Sequence, residues 1–213
     1  MNQKFIVKAE PYDYEFVPKE TALLIIDMQN DFVNPGGFGE FLGNDVSLLR
    51  KVINPIRLVL ENVRKTNLIK IIHTREGHRP DLSDCPISKR KRGNLKVGIG
   101  DIGPMGRVLI RGFKGHDKPG KGSFYSTDLH LILQNWGIKY LIVTGVTTEV
   151  CVHTTVREAN DRGYECLVLE DCVGSYFPEF QEVGIKMIKA QGGIFGFVSR
   201  SEEFINSISK LVK

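Results

Sequence analysis

Short apolar runs alternate with longer amphipathic stretches along most of this chain. Residues 22–27, Ala-Leu-Leu-Ile-Ile-Asp, form an unbroken apolar run closed by an acid. Such a run is expected of a strand covered on both faces in a parallel sheet. The segments 68–73, 107–111, 139–144, 164–170 and 193–198 repeat the pattern. Between them lie stretches of helical period. In 46–65 the apolar positions are Leu48, Leu49, Val52, Ile53, Ile56, Leu60 and Val63, close to 3.6 residues apart, with Pro55 placed to kink the helix. Further helices are expected over 127–135, 151–162 (stopped by Gly163), 179–190 and 201–211. This alternation predicts an α/β fold: a doubly wound, parallel, six-stranded sheet with right-handed crossovers and helices on both faces.

At 213 residues the chain is read as a single domain spanning 1–213. Residues 1–20 are mixed and polar and carry two prolines, which suggests an arm draped over the domain. Residues 75–106 are rich in Gly, Pro and charge without a sustained period. A loop of that length in a compact domain points to function or assembly.

Composition narrows the class. A hydrophobic share of 41% and a charged share of 25% are ordinary for a globular protein, and no apolar run approaches the roughly 18 residues of a membrane span. The first ten residues lack the apolar core of a secretion signal, and the four cysteines (Cys85, Cys151, Cys166, Cys172) contain no C-x-x-C pair. A reduced, cytoplasmic protein without a disulfide framework is expected. The net charge of +4 has its most visible source in Lys89-Arg90-Lys91-Arg92, read as a solvated loop or subunit contact. With no recognition helix, zinc spacing or aromatic interleaving, no nucleic-acid partner is expected.

Two phosphate-loop patterns fail on context. Gly98-Ile-Gly-Asp-Ile-Gly103 follows no strand and meets Pro104 instead of a helix, so no helix N-terminus receives a pyrophosphate. In Gly115-His-Asp-Lys-Pro-Gly120-Lys121, Gly122 stands where a hydroxyl must reach Mg²⁺, and Pro119 removes a cradling N–H. His73 and His78 lie five apart in an expected loop, without metal-ligand spacing. No metal and no cofactor are therefore expected.

Three strand ends remain. Asp27 closes the first strand, Lys118 follows the third and Cys151 follows the fourth. In open α/β sheets ligands bind beyond the carboxyl ends of strands, near a topological switch. Cys151 also falls in the first turn of a helix, where free N–H groups and the helix dipole favour a thiolate. An acid, an ammonium and a thiol brought together supply a base, an electrostatic stabiliser and a nucleophile. Taken singly, Asp27 also reads as a helix cap, Lys118 as a solvated lysine and Cys151 as a buried structural cysteine.

Three segments together resemble the isochorismatase-like cysteine hydrolases: Leu24-Ile-Ile-Asp27-Met-Gln-Asn-Asp-Phe32, Lys118-Pro-Gly-Lys-Gly-Ser-Phe124 and Thr144-Gly-Val-Thr-Thr-Glu-Val-Cys151-Val. The resemblance runs from about residue 20 to 200 and implies a Rossmann-like three-layer sandwich. It implies the triad Asp27, Lys118 and Cys151, with Lys118 chosen over Lys121 by its distance from Phe124. It also implies a cis peptide at Val146-Thr147 and an oxyanion hole made by the N–H groups of Thr147 and Cys151. The D-x-H metal cluster of nicotinamidases is not found, and the cysteine that isochorismatase itself replaces is retained.

Residues 73–81, 118–129 and 157–172 look most like biuret and triuret amidohydrolases, with ureidoacrylate amidohydrolases the nearest rivals. The implied activity is metal-free cleavage of a small-molecule ureido substrate, biuret foremost. Gln191, in Ala190-Gln-Gly-Gly193, matches a substrate-binding glutamine late in those enzymes and alternatively caps the preceding helix. Phe32 and Phe124 are expected to wall the pocket. The family further implies a homo-oligomer, a tetramer. A reading of a different class is a catalytically silent assembly module, which thiol alkylation separates from an enzyme.

Overall fold

The structure is a computed structural model that describes residues 3–90, 98, 99, 102, 103, 106, 107 and 116–211. In chain order its strands are β1 (Phe5–Val7), β2 (Tyr14–Phe16), β3 (Thr21–Ile26), β4 (Lys70–Glu76), β5 (Ile102–Gly103), β6 (Gly106–Arg107), β7 (His116–Lys118), β8 (Tyr140–Val146), β9 (Glu165–Gly174) and β10 (Phe197–Ser199). The helices are α1 (Asn30–Val33), α2 (Phe38–Phe41), α3 (Val46–Arg50), α4 (Ile53–Thr66), α5 (Ile87–Arg90), α6 (Leu129–Asn135), α7 (His153–Asp161), α8 (Pro178–Gly193) and α9 (Ser201–Ile208).

Six strands form one sheet in the order β10-β9-β8-β3-β4-β7, and every neighbouring pair is parallel. From β3 the chain winds outward through β4 to β7, then returns to β8 on the other side of β3 and winds out to β10. The topological switch therefore lies between β3 and β8.

Residues alternating along β3 divide between the two faces of this sheet. Ala22, Leu24 and Ile26 join a core layer with Leu129, Leu133, Val156 and Ile188. Leu23 and Ile25 join the opposite layer with Leu49, Val59, Val63, Phe204 and Ile208. Both faces of the central strand are fully buried, which is why its sequence reads as a continuous apolar run. No helix among the described residues is long and apolar enough to cross a membrane.

Several boundaries differ from the expected ones. The N-terminal segment is an antiparallel hairpin of β1 and β2, and it is not merely an arm: Val7, Tyr14 and Phe16 are completely buried in the core layer that holds Phe204. Its two-residue period is hard to see because each strand is only three residues long, with Ile6 and Glu15 as the outward positions. The helix expected over 46–65 is two helices, and the break comes at Lys51-Val52, just before Pro55. Proline in the first turn of α4 needs no N–H partner, so it starts a helix more readily than it bends one.

Among the described residues the edge strand of the main sheet is the short β7, paired with β4. Arg107 belongs to β6, which pairs with β5, and 108–111 lie outside the described residues. Of the basic run, Lys89 and Arg90 end α5, while Lys91 and Arg92 lie outside the described residues.

Candidate active site

The carboxyl ends of four adjacent strands, β8, β3, β4 and β7, deliver Cys151, Asp27, Glu76 and Lys118 to one point. These side chains are almost wholly buried, with exposures of 5% for Cys151, 0% for Asp27, 3% for Glu76 and 0% for Lys118. Buried charges persist only when paired and hydrogen-bonded. Here the pairing is nearly complete.

Asp27 follows β3 in a left-handed conformation, with φ of 50°, which turns its carboxylate away from the strand line. Thr74 of β4 fixes it from both sides: its Oγ1 donates to Asp27 Oδ1 at 2.8 Å and accepts the Asp27 N–H at 3.2 Å. Lys118 Nζ lies 2.7 Å from Asp27 Oδ2 and donates to the carbonyls of Gly120 at 3.0 Å and Lys121 at 2.8 Å. The ammonium thus has two carbonyl acceptors and the Asp27 carboxylate as its ion-pair partner. The Gly-rich turn after Lys118, which matched a phosphate loop in sequence, turns its carbonyls inward onto the lysine's own side chain.

Cys151 reaches the cluster from the helical segment that opens after β8. Gly145 lets that happen: at φ of 113°, a Cβ there would stand 2.0 Å from the carbonyl oxygen of Ile26. Only glycine allows β8 so close to β3 at the switch point. The Val146–Thr147 peptide is cis, in accord with the resemblance. Thr147 caps a π-helical turn over Thr148–Val152 that runs into α7, and its carbonyl accepts from the N–H groups of Val150 and Val152. Cys151 therefore sits in a π turn ahead of α7, a feature frequent at functional sites. Thr155 Oγ1 donates to the Cys151 carbonyl at 2.7 Å and lies 2.9 Å from Ser123 Oγ. That link ties the loop carrying Lys118 to the segment carrying the thiol.

Glu76, which sequence reasoning missed, completes the cluster. The thiol of Cys151 donates to Glu76 Oε2 across 3.6 Å, Lys121 Nζ lies 2.5 Å from Glu76 Oε1, and Lys118 Nζ lies 3.9 Å from Oε2. Gln29 clamps the Glu76 backbone by donating to its carbonyl at 2.9 Å and accepting its N–H at 2.7 Å. The signal was available in the pattern: continuing β4 past His73 puts Thr74 and Glu76 on the face of Ile72, two residues apart.

Burial raises the Cys151 thiol well above its ordinary pKa, and the Asp27 charge adds to this against the opposing Lys118. Desolvation therefore opposes the thiolate that a helix N-terminus alone would favour. Burial also raises Asp27, with Lys118 opposing. Burial alone would lower Lys118, but the charges of Asp27, Cys151 and Glu76 hold it above its usual value. Asp27, Glu76 and Cys151 each offer a ligand atom, all within 4.8 Å of one another. The ammonium of Lys118 already supplies the positive charge at that cluster.

Phe32 lies in α1, half-buried, and its carbonyl accepts the Tyr176 hydroxyl at 2.7 Å. Phe124 is buried, stacks on Tyr164 with centroids 5.9 Å apart and lies under Arg162, while the residue before it, Ser123, is tied to Thr155 of α7.

Gln191 is exposed and left-handed, φ of 51°, in the turn that ends α8. A helix antiparallel to the strands ends at their amino edge, so Gln191 caps α8 on the side of the sheet away from Cys151. His73 and His78 are not loop residues of one kind: His73 is in β4, and His78 is buried with Nδ1 3.3 Å from Asp84.

A model of the isochorismatase domain matches residues 21–203. The chain belongs to the isochorismatase family. Among curated relatives, ureidoacrylate amidohydrolase RutB of Pantoea ananatis is 30% identical over 95% of this chain and 88% of its own length. A cysteine hydrolase of Pseudomonas syringae pv. phaseolicola has the same fold, with a TM-score of 0.72 and 23% identity over 99% of this chain and all of its own. N-carbamoylsarcosine amidase of Thermoplasma acidophilum is similar at a TM-score of 0.61, with 26% identity over 86% of this chain and 97% of its own. The matched region holds every strand of the main sheet and the whole buried cluster.

Proposed function

We propose that this family member is a cysteine amidohydrolase that cleaves a C–N bond of a ureido compound through an S-acyl intermediate, with Asp27, Lys118 and Cys151 as its triad. The observation that carries the reading is the contact of Lys118 with Asp27, 2.7 Å in a fully buried setting beside the thiol. A buried acid kept by a lysine next to a cysteine has a direct use. Asp27 accepts the thiol proton as Cys151 attacks the substrate carbonyl, and the thiolate forms only when it is consumed.

The charge count supports this. Asp27, Glu76, Lys118 and Lys121 carry two charges of each sign, and moving a proton from Cys151 to Asp27 leaves the sum unchanged. Low dielectric therefore does not oppose the transfer as it opposes creation of a new ion. The N–H groups of Thr147 and Cys151 receive the oxyanion at the start of the helical segment. Losing one such donor typically costs about 10²- to 10³-fold in rate. The departing nitrogen takes the proton back from Asp27, the C–N bond breaks, and water deprotonated by Asp27 then cleaves the thioester and restores the thiol.

Within ureido chemistry, the names of the similar enzymes favour a ureido acid such as ureidoacrylate. Biuret is the second reading, favoured by the stretches 73–81, 118–129 and 157–172. Gln191 adds no support to it, because it stands in the left-handed turn that ends α8, at the amino edge of the sheet. Ammonia release measured over ureidoacrylate, biuret, triuret and simple carboxamides tests the reading. Turnover of a ureido compound is the expected result. Hydrolysis of none of them, with Cys151 inert to iodoacetamide, would replace it with the catalytically silent module.

A further inference from the structure

A urea-type carbonyl differs from a carboxamide in having nitrogen on both sides. One nitrogen leaves during hydrolysis, and the other stays on the reacting carbon and keeps an N–H. The buried cluster holds a matching surplus: two carboxylates flank one thiol, and each has its own lysine, Lys118 for Asp27 and Lys121 for Glu76. In the proposed reaction Asp27 serves the proton transfers of attack and departure. Glu76 is given no part in them, yet its Oε2 accepts the hydrogen bond of the Cys151 thiol at 3.6 Å.

Resting on the reading of a ureido amidohydrolase, we propose that Glu76 binds substrate: its carboxylate accepts a hydrogen bond from the nitrogen retained on the reacting carbon, and so selects ureido compounds over carboxamides. The position fits, because an acceptor in van der Waals reach of the sulfur faces any group one bond from the carbon that the sulfur attacks. The Glu76 side chain is held for the task. Gln29 grips the backbone of Glu76 on both its N–H and its carbonyl, and Lys121 occupies the other carboxylate oxygen at 2.5 Å. Only Oε2 is left turned to the thiol. A carboxamide presents a CH₂ there and leaves this buried acceptor without a donor once the thiol has reacted.

The experiment compares two substrate pairs that differ by NH against CH₂, biuret with malonamide and 3-ureidopropionate with glutaramate, in the wild type, Glu76→Gln and Lys121→Gln. The Gln29 clamp uses only backbone atoms of residue 76, so Glu76→Gln keeps its anchor, and a melting curve verifies the fold. The expected result is that Glu76→Gln lowers kcat/KM on the ureido member by about 5- to 150-fold more than on its carboxamide partner, whatever loss the two share. Equal losses on both members, or a Lys121→Gln enzyme that reproduces the whole ureido loss, would overturn the proposal.

A second readout needs no substrate. With Glu76 beside the sulfur, Cys151 should prefer iodoacetamide, which carries an N–H donor, over the anionic iodoacetate, and Glu76→Gln should shrink that preference. An unchanged ratio overturns the role of Glu76 even if no ureido compound is turned over. A shrunken ratio with no ureido turnover would instead retire the functional reading.

Discussion

The two ends of this sheet solve opposite problems with the same backbone pattern. At the carboxyl end, four strands bring two acids, two lysines and a thiol within a few ångströms, and burial of these groups is offset by close pairing. At the amino end, Phe124, Tyr164 and His130 pack against one another, while Gln191 faces solvent in a left-handed turn. Burial of carboxylates and an ammonium marks the working end here. Aromatic packing marks the end that only holds the fold together.

The sharpest test of this division is Cys151→Ser. A hydroxyl is far harder to deprotonate, so turnover should fall by at least about 10³-fold while the melting temperature stays near the wild-type value. A variant retaining several percent of the activity would mean that the chemistry lies elsewhere.

Lys118→Met comes next. It leaves Asp27 buried without its countercharge, so kcat/KM should drop by about 10²-fold or more and stability by about 3 to 5 kcal/mol. The pH profile carries a signed expectation. Burial raises Asp27 above its usual value, and the ionised form is the active one. Activity should therefore fall, on lowering the pH, at a point above the ordinary carboxylate value of about 3.9. In Lys118→Met that acid limb should move to still higher pH. A limb that stays in place would show that Lys118 does not act on Asp27.

At the opposite end, Phe124→Ala should cost about 3 to 5 kcal/mol by opening a cavity under Tyr164, measured by denaturant unfolding. The kcat/KM of the folded enzyme should change by less than about twofold. Smallest of all is Gln191→Gly. Glycine takes the left-handed turn without steric cost, so stability should rise by no more than about 1 kcal/mol, with unaltered kinetics. A substrate-dependent loss in this variant would return Gln191 to the site and break the comparison.

The sequence carried much of this division. The apolar run of β3 and its closing Asp27, the Gly-Val-Thr-Thr turn before Cys151, and the lysine ahead of Gly120 and Gly122 were each readable, because buried parallel strands and tight turns constrain residue type strongly. Strand β7 was not readable. An edge strand of His-Asp-Lys pairs on one side only and needs no apolar alternation, so 107–111 looked the better candidate. Glu76 escaped because β4 was ended at His73, where the apolar residues stop, although the strand continues with polar residues aimed at the site. Gln191 was placed near the pocket by its likeness to a known motif. Which end of a helix it occupies depends on the direction of the element, and motif likeness does not carry that.

The paired charges at the carboxyl end have a kinetic consequence. Two acids and two ammonium groups cancel at short range, and three of the four side chains are sealed from solvent, with only Lys121 partly exposed. Such a cluster projects little field into the surrounding water. Mobile ions, which screen over roughly 8 to 10 Å in ordinary buffers, have little to screen there. The cluster itself should then add little electrostatic steering, so it should contribute little salt dependence to the rate of substrate capture.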